Sequence, residues 1–228
     1  SSVPITVLWS VAVEEQFYFI LPILILLFRK KIFKYSPLYI VGCLIYRLYN
    51  YQNIRITEFH TLSVFPALLL GCISAYMVIY KSLDSMINRL SKKAIFIIYG
   101  VLLFLILSRT YLFANQFGVA FNSIIFSFFF TFIILEQNYS TRSFYKMSDF
   151  KKITELGKYT YGMYAYHIIF ITLLSNLYQA NFGAINNYIV YFIFYFLALI
   201  ISVFFSIASY NIFEIKFLNL KDKIYNRK

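Results

Sequence analysis

Charge is what this sequence has least of. Only 13% of its 228 residues are charged, against roughly 25% in a soluble domain, and that scarcity excludes a water-soluble globular protein. Cysteine is almost missing: Cys43 and Cys72 are the two present. Both fall in apolar runs without a CxxC spacing or a neighbouring histidine, so they read as buried thiols and not as metal ligands. Histidine stops at two, His60 and His167. No GxxxxGK[ST] phosphate loop occurs, and no serine has the strand-turn-helix setting of a hydrolase nucleophile. An initiating methionine, a basic leader and a small-residue cleavage site are also missing at the start, so the chain reads as beginning inside a longer protein. Acids number 9 against 21 Lys and Arg, a net charge of +12. A surplus of that sign suits nucleic acid, yet the basic residues stand in short clusters between apolar runs, with no soluble basic domain. Nucleic acid is therefore set aside as a partner, and membrane orientation explains the clusters.

What the sequence does have is grease and rings: 61% hydrophobic residues, with 27 Phe and 22 Tyr. Tyrosines near segment ends suit the membrane interface, where an amphipathic ring sits between lipid and water. The organising stretch is Leu8 to Phe28, LWSVAVEEQFYFILPILILLF. About 20 residues at 1.5 Å each cross a hydrocarbon core of roughly 30 Å, yet Glu14, Glu15 and Gln16 stand inside this one. A charge at a helix centre costs about 2.5 to 3.5 kcal/mol on insertion scales, so the two carboxylates are expected to face protein or water. Ser10, Glu14 and Tyr18 recur at i, i+4 along one face, while Glu15 lies about 100° round the helix.

Seven apolar segments are read, at about 6 to 28, 37 to 50, 62 to 80, 94 to 108, 117 to 135, 158 to 178 and 187 to 212. The second is short, opened by Pro37 and expected to run on, tilted, towards Asn53. Basic residues fall on alternate connections. Arg29, Lys30, Lys31 and Lys34 follow the first segment, and Lys81, Arg89, Lys92 and Lys93 follow the third. Arg142, Lys146, Lys151, Lys152 and Lys158 follow the fifth, and Lys216, Lys221, Lys223, Arg227 and Lys228 form the tail. That is 18 on one side against Arg47, Arg55 and Arg109 on the other, which together account for all 21. By the positive-inside rule the C-terminus is cytoplasmic and Ser1 outside. Seven helices starting outside call for an odd number upstream. On this reading Glu14 lies in the outer leaflet, about 21 Å above the inner boundary, and His167 near the midplane, roughly 15 Å deep. His60, Glu58, Arg55 and Arg47 fall in or beside the first outer connection. A polar line from midplane to outer surface is what group transfer across a membrane needs.

Leu8-Trp9-Ser10 followed by Glu14-Glu15-Gln16-Phe17-Tyr18 and Pro22 resembles the signature of the acyltransferase-3 family, integral membrane enzymes that O-acylate cell-surface sugars. Three weaker echoes follow in the family's order: TLSVFPALLLGCISAY around Gly71, LGKYTYGMYAYH ending at His167, and EIKF at Glu214 to Phe217. The resemblance implies an all-α polytopic helix bundle, a single acyltransferase domain over residues 1–228, N-terminally truncated, with seven transmembrane helices here and about ten in the full-length protein. It implies acyl-CoA, most often acetyl-CoA, as donor substrate, no metal, and a polysaccharide or glycolipid sugar as acceptor in the cytoplasmic membrane. The family's presumed catalytic histidine precedes the tryptophan-serine motif, so residues 1–228 alone are expected to be inactive.

The site candidates are Glu14, Glu15 and His167 for catalysis, and Ser10, Tyr18, Arg47, His60 and Tyr164 for substrate. Each has a plainer reading: the acids as a polar lock between helices or a balance for Arg47, His167 as a core histidine bonded to a tyrosine hydroxyl, His60 as a helix cap, and Gly71 as a close-packing point. Departures from the family pattern are Val64, Pro66 and Ala67 where an arginine or acid usually precedes the glycine, Tyr166 for a tryptophan, and Lys216 for a proline. They bear on acceptor identity and on the basic group that holds substrate. The rival class is a carrier or flippase, since intramembrane acids and a midplane histidine also suit transport; no internal symmetry between the halves favours it.

Overall fold

Helix ends in this protein are set by local chemistry, and most can be traced to named residues. In the computed structural model, which describes residues 8–183 and 187–225, the first long helix, α1 (Trp9–Phe28), stops where Arg29 turns left-handed at φ 50°. Helix α2 (Lys31–Tyr49) follows at once. Pro37 does not open α2 but lies well inside it. A proline there leaves the carbonyl four residues back without its helical donor, and the Ser36 hydroxyl donates to that Phe33 oxygen at 2.8 Å. The freed acceptor is thus satisfied and the helix continues. Nor does α2 run on to Asn53: it ends at Tyr49, and Asn53 caps the next helix, α3 (Ile54–Phe59).

Helix α4 (Thr61–Lys81) ends at Ser82, again left-handed, and leads into α5 (Leu83–Asn88). Ser91 and Asn115 accept backbone N–H groups at the starts of α6 (Lys92–Leu107) and α8 (Gln116–Tyr139), either side of the short α7 (Arg109–Leu112). In the second half come α9 (Lys151–Leu156), α10 (Thr160–Phe182) and α11 (Tyr188–Ser209). A π-helical turn, Tyr210–Glu214, joins α11 to α12 (Ile215–Tyr225). Among the described residues there is no strand, and the class is all-α. Ser1, residue 6 as the start of the first segment, Arg227 and Lys228 lie outside the described residues.

Each of the seven apolar segments falls on a long helix, but length and apolarity sufficient to cross a membrane are met by four stretches: Trp9–Phe28, Ile54–Lys81, Gln116–Tyr139 and Tyr188–Ile224. A fifth is added if Leu83–Arg89 and Lys92–Leu107, bent by 99°, form one broken span. Helix α2, with Lys31, Lys34 and Arg47, and the tyrosine-rich α10 fall below that apolarity, so a count of seven spans is not reached on these grounds.

The chain divides into two compact units, Trp9–Lys146 and one containing Met147–Lys228. In the first, α1 turns Val13 and Phe17 inward, one turn apart, and Phe17 meets Phe65 of α4 edge to face at 5.3 Å. In the second, α10 and α11 meet through small residues. Ala198, Ser202 and Ser206 recur every four residues on α11 and are fully or almost fully buried. Gly162 sits against Ser206 so closely that a β-carbon there would stand 3.0 Å from the serine side chain. Gly71, expected to serve such packing, has nothing within 4 Å of a β-carbon and does not.

Candidate active site

In the Trp9–Lys146 unit, the start of α1 meets the α3–α4 junction. Trp9 and Phe59 stack edge to face at 4.8 Å, and the Thr61 hydroxyl donates to Gln16 Oε1 at 3.1 Å. The polar string of α1 therefore runs beside the α3–α4 junction that holds His60.

Arg47 is the centre of that end and is 1% exposed. Its Nε donates to the Ala120 carbonyl at 2.8 Å and Nη2 to Val119 at 2.9 Å, while Nη1 donates to Thr57 and, at 3.4 Å, to Ser63. Nη2 also lies 3.9 Å from Glu58 Oε1. A guanidinium has five N–H donors. Four meet carbonyls of α3, α4 and α8, and the fifth faces a carboxylate, so Arg47 as placed is a tie between helices with nothing left for substrate. Its partner acid is Glu58, not Glu14 or Glu15. No sequence pattern signals this, because the carbonyls Arg47 holds are contributed by the backbone and lie up to 73 residues away.

Glu14 is half-buried and Glu15 exposed. Among the described residues neither carboxylate has a hydrogen-bond or ion-pair partner, so the polar-lock reading finds no counterpart here. Ser10 is half-buried and Tyr18 is 60% exposed on the same stripe.

The two histidines differ in a way that matters chemically. His60 caps α4: its Nδ1 accepts the Leu62 N–H at 3.2 Å, and its ring leans on Tyr46. In a neutral imidazole one nitrogen carries the proton and the other the lone pair, so His60 presents an N–H at Nε2. His167, on α10 of the other unit, has Nδ1 2.6 Å from the Tyr164 carbonyl. A carbonyl only accepts, so Nδ1 carries the proton and the lone pair is left at Nε2. The first is built to donate, the second to take a proton. Tyr164 thus supplies its backbone to orient His167, with its ring 5.7 Å from the imidazole. Tyr166, next in sequence, donates its hydroxyl to Ser209 at 3.1 Å and fixes α10 against α11.

A second polar cluster escaped the sequence reading. Glu136, near the end of α8, is 0% exposed. Its Oε2 accepts from Tyr99 at 3.0 Å and from Gln137 at 2.8 Å, whereas Oε1 has no hydrogen-bond partner among the described residues. Lys146 Nζ donates to the main-chain carbonyls of Glu136 and Gln137 and not to the carboxylate. The fifth apolar segment ends at residue 135, one short of this acid, and an acid closing an apolar run is the signal that points to it. Among the described residues no three His, Cys, Asp or Glu side chains gather to hold a metal ion.

Compared with known proteins, residues 1–210 match the model of the acyltransferase-3 family, described as an acyltransferase domain. The match ends before the EIKF element at Glu214 to Phe217. No curated protein and no solved structure matches the chain. The match covers most of the chain, which therefore belongs to this family and is a multi-pass membrane acyltransferase.

Proposed function

We propose, with that membership as premise, that the protein carries an acyl group, acetyl in the first instance, from acyl-CoA on the cytoplasmic side to a hydroxyl of a cell-surface polysaccharide or glycolipid sugar. The split of 18 basic residues against 3 supports a cytoplasmic-membrane protein with its C-terminus inside. In the reaction the sugar oxygen gives its proton to a base and attacks the thioester carbonyl carbon. A C–O bond forms, the tetrahedral oxyanion collapses, the C–S bond breaks, and the proton returns to the departing CoA thiolate.

The observation that carries this reading is the His167 tautomer. With Nδ1–H held by the Tyr164 carbonyl, Nε2 offers the lone pair a general base needs, whereas His60 offers a donor suited to binding a sugar oxygen. Within the Trp9–Lys146 unit, Glu14 and Glu15, with Ser10 and Tyr18, offer acceptors and charge to a sugar hydroxyl.

Membranes holding the full-length protein, given radiolabelled acyl-CoA, test the assignment. His167→Gln is expected to lower transfer by about 10²- to 10⁴-fold, with His60→Gln, Glu14→Gln and Glu15→Gln reducing it less. Wild-type turnover in His167→Gln at equal abundance would return the base to the upstream histidine that the family resemblance implies.

A further inference from the structure

At the end of the Trp9–Lys146 unit opposite Arg47, Lys92, Lys93, Phe96, Ile97 and Phe144 line a surface groove of about 440 Å³. The three apolar walls are largely exposed, Phe96 at 68% and Ile97 at 62%. Both lysines lie in the first turn of the 16-residue helix α6, and that turn has no acid. This is the reverse of what a helix prefers, since its N-terminus carries partial positive charge. More cation stands close by: Arg142 donates to the Arg89 carbonyl at 3.4 Å, and Thr141 is tied to Asn88 through its backbone N–H and its hydroxyl, at 3.0 and 2.7 Å. These bonds hold the 140–144 segment, and with it Phe144, against the α5–α6 corner. Asp84 stands in the first turn of α5, and Glu136 is fully buried and bonded to Tyr99. Neither Lys92 nor Lys93 has an ion-pair partner among the described residues.

We infer that this corner binds one anionic phospholipid, its phosphate on Lys92 and Lys93 and the upper part of an acyl chain along Phe96, Ile97 and Phe144. The pairing of an uncompensated cationic rim with an apolar wall is what a lipid headgroup and its chain require together. An inorganic anion would use only the lysines, and a neutral lipid only the wall. Basic pockets at the membrane-facing end of helices take phospholipid headgroups on these grounds. The inference rests on the membrane reading alone and is independent of acyl transfer.

The test is native mass spectrometry of the full-length protein in detergent, titrated with phosphatidylglycerol or phosphatidylcholine of matched chains. The wild type should retain phosphatidylglycerol in preference to phosphatidylcholine. At about five-fold per surface lysine, Lys92→Gln with Lys93→Gln should weaken phosphatidylglycerol retention about 25-fold and leave phosphatidylcholine unchanged, while Phe96→Ala should weaken both lipids. Lys221→Gln with Lys223→Gln, an equal loss of charge elsewhere, should leave the preference intact. Three results would overturn the site: undiminished preference in the Lys92/Lys93 variant, an equal loss in the Lys221/Lys223 control, or displacement of the lipid by coenzyme A, which would assign the corner to the acyl donor.

Discussion

The two ends of the Trp9–Lys146 unit treat buried charge in opposite ways. At one, Arg47 is enclosed and nearly every donor it has meets an oxygen from three different helices. At the other, Glu136 is equally enclosed but only one of its oxygens is engaged, while the cations stand at the surface. A guanidinium spreads five donors in a plane and reaches backbone carbonyls that every helix provides. A carboxylate only accepts and depends on the few side-chain donors in range. Arginine can therefore hold a junction of helices together, and a lone glutamate cannot.

Removing the knot should do the greatest damage. Arg47→Ala strands carbonyls of α3, α4 and α8, and breaking a buried charged network of this kind costs about 3 to 5 kcal/mol. Thermal denaturation in detergent should show the loss; a variant as stable as wild type would mean the carbonyls find water instead. Gly118→Ala attacks the same end from the backbone, since a β-carbon there would lie 2.4 Å from the Phe113 α-carbon. Val119 and Ala120, which hold Arg47, follow directly, so overpacking of about 1 to 3 kcal/mol is expected, and an unchanged melting point would argue that α7 yields freely. Glu136→Gln should matter least. The amide oxygen can keep the bonds from Tyr99 and Gln137, and the idle position stays idle, so the change should stay under about 1 kcal/mol. A collapse of stability in that variant would show that the charge itself is used, and the contrast between the two ends would fail.

The long helices were legible because about 20 apolar residues bounded by charge leave few alternatives: the first segment ends at Phe28 as expected. Helices of four to six residues, such as α3 and α7, were not, since a single turn has no periodicity to read. Pro37 sits inside α2 instead of opening it because its neighbour Ser36 supplies the compensating hydrogen bond, a local exchange invisible in a hydropathy pattern. The site was half legible. His60 and His167 were visible as candidates, but which nitrogen each leaves open depends on one backbone group apiece. Arg47 looked like a substrate ligand because its partners are carbonyls, which every residue has and no sequence reveals.

The contact of Gly162 with Ser206 has a consequence for how this chain can change over generations. Each position constrains the other: a methyl group gained at 162 needs Ser206 to give way by a few tenths of an ångström. Alanine at 162 should be accepted most readily beside glycine at 206, so the two sites are expected to drift as a pair while the outward-facing phenylalanines around them vary alone. His167, little more than a turn further along α10, inherits its bearing from that paired constraint.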